Sequence, residues 1–295
     1  MTDARSLTTA LGGRWHGRYG TAPCPVCQPQ TRKDQNALCL SNGSDGRLLA
    51  HCKRAGCAFT DILAAAGITP GDYRPPDPAT IAQREAERRA EAEKKARQAH
   101  RLWREAEPIA GTVAESYLRG RGITCGLPDK LRYQPACWHP SAKLLPALVA
   151  LVDGGAGFAV HRTYLRPDAS GKADIEPAKA MLGSTQGGAV RLSEGLETLV
   201  VAEGIETALS LASGLLGRPA TIWAALSTSG MRGLRLPPSP GQLTVATDSD
   251  DGGAGHAAGQ DLAERAHGLG WQVSLLPAPD GRDWNDVLAR KAVTV

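Results

Sequence analysis

Two groups of side chains in this 295-residue sequence have the types and spacing for metal chemistry. The first is Cys24-Pro25-Val26-Cys27 with Cys52-Lys53-Arg54-Ala55-Gly56-Cys57, two close pairs separated by 24 residues. A short Cys-x-x-Cys turn lets two sulfurs reach one ion, and two such turns supply the four tetrahedral ligands that zinc prefers. Knuckles of this kind on neighbouring hairpins make a zinc ribbon, and a segment this small has little apolar core and needs such a staple. Cys24, Cys27, Cys52 and Cys57 are therefore the expected zinc ligands. The gap of four residues in the second pair is wide, which admits a variant with His51 in place of Cys52. Cys39, between Leu38 and Leu40 in a strand-like run, is expected to pack rather than ligate.

The second group is acidic. Glu203 follows the apolar run Leu199–Ala202, Asp248 and Asp250 follow Leu243–Thr247, and Gly281-Arg282-Asp283-Trp284-Asn285-Asp286 follows the last apolar run. Carboxylates gathered at neighbouring strand ends must share protons or bind cations, and hard oxygen ligands suit Mg²⁺ or Mn²⁺. The adjoining glycines would let backbone approach a phosphate closely. For any one of these aspartates, capping a helix is the ordinary alternative.

The elements that must position these groups follow from hydrophobic patterning. From Thr198 onward, apolar runs at Leu199–Ala202, Ala220–Leu226, Leu243–Thr247 and Trp271–Leu276 alternate with helical stretches at Ile205–Ser213 and Ala254–Leu269. Strands separated by helices predict an α/β domain with a mostly parallel sheet, whose ligands collect at the carboxyl ends of the strands. Upstream, a helix over Ala114–Arg119 and strands over Ala147–Val152 and Gly157–Leu165, joined by a turn at Asp153–Ala156, predict a mixed α+β segment. A proline-rich break at Gly71–Pro78 precedes Ala79–Glu107, whose eight basic and six acidic residues suit a solvated spacer helix with i,i+4 ion pairs. A short helix over Thr60–Ala66 closes the cysteine-bearing segment. The expected divisions are 1–70 (zinc ribbon), 71–110 (linker and charged helix), 111–196 (α+β) and 197–295 (α/β).

Composition narrows the function. With 42% hydrophobic and 22% charged residues, the chain is neither wholly disordered nor collagen-like. No run reaches the ~18 apolar residues of a membrane span. Met1–Leu11 lacks the apolar core of a secretion signal, so a cytoplasmic location is expected. An odd count of seven cysteines in that setting favours metal over disulfides. The net charge of +4 is unevenly spread: residues 1–60 carry eight Lys/Arg against three Asp/Glu, and residues 196–295 carry seven against eleven. A basic front suits a polyanion and an acidic back suits cations. Arg14-Trp15-His16-Gly17-Arg18-Tyr19, with Arg32, Lys33, Lys53 and Arg54, interleaves charges for phosphates with rings for bases. Trp15, Arg18, Arg32 and Lys53 are the expected contacts to single-stranded nucleic acid, the other role for Trp15 and Tyr19 being to cover the ribbon's small core.

VVAEGIETALS at 200–210 and ATDSDDGGAG at 246–255 resemble the Toprim domain shared by bacterial-type (DnaG-like) primases, type IA topoisomerases and some nucleases. GRDWNDVL at 281–288 resembles the closing acidic motif of that domain in phage and mobile-element primases. YLRGRGI at 117–123 and VHRTYL at 160–165 resemble the piece that precedes Toprim in the same group, and the ribbon resembles the zinc-binding domain at its front. The resemblance implies a DNA primase that makes short RNA primers on single-stranded DNA by divalent-metal-dependent nucleotidyl transfer. It implies that Asp248, Asp250 and Asp283 hold the cations, with Glu203 a ligand or general base and Asp286 or Asn285 completing the motif. Arg162 and Lys179 become candidates for the nucleoside triphosphate or the template backbone. The sequence contains no Gly-x-x-x-x-Gly-Lys-[Ser/Thr], so unwinding would fall to a separate replicative helicase. Two departures stand out. Cys27 occupies a position where the primase finger often has histidine, and Thr207 one where the first Toprim motif often has a second carboxylate, with Glu206 beside it. The alternatives are a Toprim nuclease and a catalytically silent zinc-ribbon accessory protein. A type IA topoisomerase would need a nucleophilic tyrosine in a large further domain, and Tyr19, Tyr73, Tyr117, Tyr133 and Tyr164 offer no obvious one.

Overall fold

The computed structural model describes residues 3–28, 36–43, 46–68, 77–194, 198–249, 252–279 and 281–293. The chain divides into two units, Met1–Arg89 and Ala90–Val295. In the first, α1 (Ala4–Ala10) begins at Asp3, whose carboxylate accepts the Ser6 amide at 2.7 Å. Four antiparallel strands follow in spatial and chain order: β1 (Arg14–Trp15), β2 (Tyr19–Ala22), β3 (Leu38–Asn42) and β4 (Leu48–Cys52). Helix α2 (Phe59–Ala65) follows the sheet. Strand alternation turns Leu38, Leu40, Leu48 and Cys52 inward and His51 outward. The resulting core is small, and Cys24 and Cys52 are part of it alongside Leu7, Ala22 and Ile62.

Helix α3 (Pro78–Glu105) has the expected solvated character over most of its length, with i,i+4 pairs such as Lys95–Glu91 at 3.5 Å and Arg97–Glu93 at 3.6 Å. It is more than a spacer, however. Its few apolar residues near the end, Ala99, Leu102 and Trp103, fall at i, i+3 and i+4 and pack with Val149 and Val160. Arg132 lies 4.3 Å over the Trp103 ring and donates to the Trp103 carbonyl at 2.8 Å. The last turns of α3 therefore belong to the second unit's core.

That unit holds two sheets. The first is antiparallel, in the order β5 (Glu107–Pro108), β6 (Leu131–Trp138), β7 (Leu144–Val152), β8 (Ala159–Tyr164) and β9 (Lys179–Gly183), with α4 (Val113–Gly120) between β5 and β6 in the chain. The second is mostly parallel, in the order β10-β12-β11-β13-β14: β10 (Val190–Arg191), β11 (Thr198–Ala202), β12 (Thr221–Ala224), β13 (Gln242–Thr247) and β14 (Gln272–Pro277). Only β10, at one edge, runs antiparallel. Its helices are α5 (Ile205–Ser210), α6 (Thr228–Gly233), α7 (Ala254–Gly268) and α8 (Trp284–Val293).

Strand β11 is buried at every residue because both faces of a parallel sheet are covered. Val200 and Ala202 join Leu148, Ala150 and Ile205 on one face, while Leu199 and Val201 join Val245, Ala258 and Leu262 on the other. Helix α7 approaches β13 so closely that a Cβ on Gly259 would run into Thr247 Cγ2. The helix expected over Ile205–Ser213 ends sooner, widening into a turn at Leu211–Leu215 where Gly214 adopts φ +102°. Short elements such as α1, α6 and β10 carry too little periodicity to be expected from sequence. The fold is thus an α/β domain preceded by a mixed segment and a cysteine-bearing four-stranded module, as predicted.

Candidate metal centres and active site

The thiols of Cys24, Cys27, Cys52 and Cys57 converge, with all four sulfurs within 4.8 Å of one another. Cys27 and Cys52 sulfurs stand 3.6 Å apart. Tetrahedral zinc with Zn–S bonds of about 2.3 Å requires sulfurs about 3.8 Å apart, so the cluster has the size of that ion's ligand shell. Gln28 braces the first knuckle by accepting the Cys24 and Ala37 amides at 2.9 and 3.1 Å. The wide second knuckle closes through Gly56, which takes φ +59° and donates to the Cys52 carbonyl at 3.2 Å. Burial opposes a charge on Cys52, but the amides of Ala55, Cys57 and Arg54 outweigh it and draw the thiol down to about 6. Burial and the neighbouring sulfurs push Cys27 up to about 12. A divalent cation is what would let all four thiols ionise together, and the donor set fits structural zinc. His51 faces away, opposite Cys39 across β3 and β4, so it is Cys52 and not His51 that joins the cluster. All seven cysteines are free of disulfides.

The expected template contacts are spread over the same unit. Arg18 and Lys53 are exposed, and Arg32 lies outside the described residues. Trp15 is half-buried against the ribbon core, so it covers that core. Tyr19 stays 42% exposed and stacks on His16 at 5.0 Å, leaving an aromatic surface near Arg18 in the chain.

At the carboxyl ends of the parallel strands, Ala202 and Ala246 are in register, and Glu203 and Asp248 each stand one residue beyond the end of their strands, the neighbours β11 and β13. The Glu203 carbonyl accepts the Leu226 amide at 2.7 Å. Leu226 adopts φ +74°, a conformation costly for a side chain of its size, so strain is stored beside the site. Asp248 accepts from the Thr207 hydroxyl at 2.9 Å and from the Trp284 amide at 3.2 Å. Thr207 thus turns a hydroxyl toward Asp248 at the position where a second carboxylate would stand. Asp283 caps α8 by accepting the Asp286 amide at 2.7 Å, and its other oxygen lies 3.9 Å from Arg121 Nη2. Asp286 is exposed. Asn285 is buried and donates to the Arg121 carbonyl and the Ser210 hydroxyl, both at 2.9 Å, which ties α8 to its neighbours. Asp250 lies outside the described residues. Among the described residues the cysteine cluster is the one group of three or more such ligands within 4.8 Å, so Glu203, Asp248 and Asp283 do not converge to that distance. Their hard oxygen donors on adjoining elements fit a divalent cation that keeps several of its waters.

A basic flank borders this site, and most of it was not read from sequence. Glu206, on the first turn of α5, accepts from Lys172 Nζ at 3.2 Å, Lys179 Nζ at 3.4 Å and the Tyr117 hydroxyl at 3.0 Å. Burial alone would raise the Glu206 carboxyl, yet Lys179 and Lys172 hold it well below the usual carboxylate range. Burial and then Glu206 raise the Tyr117 phenol. The sequence signal was slight: a lone carboxylate on a helix whose six residues are all buried. Arg162 is 4% exposed and donates to the backbone carbonyls of Trp138 and Met181 at 3.0 and 3.4 Å, so its guanidinium braces the antiparallel sheet.

Residues 198–293 match the Toprim domain family, and residues 93–192 match a domain of unknown function (DUF7146). No curated protein matches the chain. Among solved structures, the chain is similar to a DNA primase domain from Pseudomonas aeruginosa, at 19% identity over 62% of this chain and 69% of that one, with a TM-score of 0.39. It is similar to the Aquifex aeolicus primase (zinc binding and RNA polymerase domains), at 13% identity over 98% and 83% of the two chains, with a TM-score of 0.39. A DnaG primase catalytic domain bound to ssDNA is similar at 14% identity over 70% and 81%, with a TM-score of 0.41. The stretch that carries Glu203, Asp248 and Asp283 is a Toprim domain, preceded in the chain by a DUF7146 segment and a four-cysteine module of zinc-ribbon type.

Proposed function

We propose that this protein is a DNA primase that synthesises short RNA primers on single-stranded DNA by divalent-metal-dependent nucleotidyl transfer. The observation that carries the reading is the pairing of Toprim strand-end carboxylates, Glu203 and Asp248, with the cationic flank of Lys172, Lys179 and Arg121. Carboxylates alone suit cation binding, and a nearby cluster of ammonium and guanidinium groups suits a substrate that carries several phosphates. Glu203, Asp248 and Asp250 would hold Mg²⁺ or Mn²⁺, with Asp283 at the edge of the set. Bound there, the cation supplies charge neutralisation on the phosphates and lowers the pKa of a coordinated hydroxyl. Glu203 is placed either to ligate or to accept the proton of the attacking 3′-hydroxyl. Thr207 and the Trp284 amide orient Asp248, and Lys172 and Lys179 offset the charge that builds on the departing pyrophosphate. Arg18 and Lys53 on the cysteine module supply phosphate contacts to template, beside the exposed ring of Tyr19. A cytoplasmic setting and a separate replicative helicase complete this reading; among the described residues no helix is long and apolar enough to cross a membrane.

The test is incubation of the protein with single-stranded DNA, labelled ribonucleotides and Mg²⁺ or Mn²⁺. Short labelled oligoribonucleotides support the primase. Fragmented DNA would make it a Toprim nuclease instead, and retention of DNA without either product a catalytically silent binding protein.

A further inference from the structure

Glu206 is a buried charge that neither candidate metal centre uses. It stands three residues past Glu203 with its side chain only 6% exposed, a placement that is unfavourable unless the charge is paired and hydrogen-bonded. Its partners come from distant chain: Lys172 from the β8–β9 connection, where it bridges Leu165, and Lys179 from β9, opposite Thr163. Both lysine side chains remain partly exposed, at 32% and 39%. Each ammonium has three donors and gives one to Glu206, so donors remain for a ligand. On β8 beside them His161 is buried, and burial, with Lys179 next, lowers it to about 4. Replacing a buried ion pair by well-packed apolar groups is often neutral or stabilising, so stability alone does not account for this one. Here two lysines share one carboxylate, and Arg121 adds further positive charge nearby.

We propose that Glu206 is a positioning residue, which holds Lys172 and Lys179 toward the phosphates of a nucleoside triphosphate at the strand-end site. The proposal rests on the nucleotidyl-transfer reading above. A lysine on a flexible stem loses rotamer freedom when it grips a ligand, and one already held by a buried carboxylate has lost that freedom beforehand. Two effects oppose each other if Glu206 is neutralised. The positive field on the phosphates rises, which favours binding, while the two ammoniums lose their anchor and their buried counter-charge, which disfavours it. Positioning means that the second effect wins.

Wild-type chain and Glu206→Gln are compared by calorimetric titration with ATP and by primer synthesis at varied ATP. The expected result is an ATP Kd and KM raised about tenfold with kcat within about twofold, the signature of lost binding that is equal in ground and transition states. A purely structural role would lower the melting temperature of Glu206→Gln and leave the ATP Kd in place. If Glu206→Gln does not fold, Lys172→Met carries the test, with the same KM-selective loss expected. Unchanged or tighter ATP binding in a folded variant, or a fall in kcat alone, overturns the proposal while the primase reading stands. Wild-type protein that binds no ATP overturns both.

Discussion

The cysteine module and the Toprim strand ends each gather metal-ligating side chains, and they do so by opposite means. In the module, Cys24, Cys27, Cys52 and Cys57 reach a common point through two tight turns, and their sulfurs stand within 4.8 Å. At the strand ends, Glu203, Asp248 and Asp283 come from three separate elements, and local groups hold Asp248 and Asp283 individually. Thr207 and the Trp284 amide hold Asp248, and Asp283 is occupied in capping α8. A structural zinc site is closed and complete, with no position left for substrate, whereas a catalytic site for hard cations keeps room for waters and phosphates. The module's fold is therefore expected to depend on its ion, and the Toprim fold is not.

Losing one sulfur breaks the comparison most sharply. Structural zinc contributes on the order of 10 kcal/mol to folding of such small domains. Cys24→Ser should release the metal and unfold the module while the Toprim domain stays folded. Elemental analysis should find one zinc per wild-type chain and none per variant chain, and hydrogen exchange should show protection lost from residues 3–68 only. Protection lost across the Toprim strands as well would contradict the separation.

Template binding comes next. Arg18→Ala and Lys53→Ala should each lower the slope of log K against log salt by about 0.7 on single-stranded DNA, one phosphate contact apiece. A salt titration that returns the wild-type slope would assign both residues to the fold.

Asp283→Ala should destabilise the Toprim domain by about 1 kcal/mol through loss of the α8 cap, read as a shift in its urea midpoint. No shift would mean that the cap contributes nothing and that the residue serves the metal alone. Glu206 adds a pH dependence of known sign. Its folded carboxyl lies below the ordinary value of 4.5, so its contribution is complete above that pH and declines as pH falls below it. The stability gap between wild type and Glu206→Gln should be wider near pH 7 than near pH 3 in urea unfolding; an equal gap would mean that the ion pairs contribute little. The smallest effect belongs to His51→Ala, which should retain one zinc per chain because the imidazole faces away from the sulfurs.

These contrasts also explain what could be read from the sequence. The four-cysteine cluster was legible because its geometry is local: spacing within a turn decides whether two sulfurs can meet. The choice between His51 and Cys52 was not, since it depends on which face of β4 is turned inward, and pairing with β3 settles that. Glu203 and Asp248 were legible as strand-end residues because apolar runs mark the strands. Arg162 read as a candidate for triphosphate from its position on a strand, yet alternation alone does not show that its guanidinium meets the Trp138 carbonyl. Lys172, Tyr117 and Glu206 lie far apart in the chain and meet only through the packing of α4, α5 and the β8–β9 connection, which no periodicity records. The apolar end of α3 was hidden for a simpler reason: Ala99, Leu102 and Trp103 are few among many charges.

The most direct test of the central claim is primer synthesis by Asp248→Asn, measured alongside its melting temperature with and without Mn²⁺. Asparagine preserves an oxygen for the Trp284 amide and a polar partner for Thr207, so the fold should survive. If Asp248 serves a divalent-metal centre for nucleotidyl transfer, the variant should melt at or above the wild-type temperature without metal, gain no stability from Mn²⁺, and make no primers. A variant that melts lower than wild type, still responds to Mn²⁺ and still makes primers would show that Asp248 is an ordinary strand-end aspartate and that the chemistry lies elsewhere.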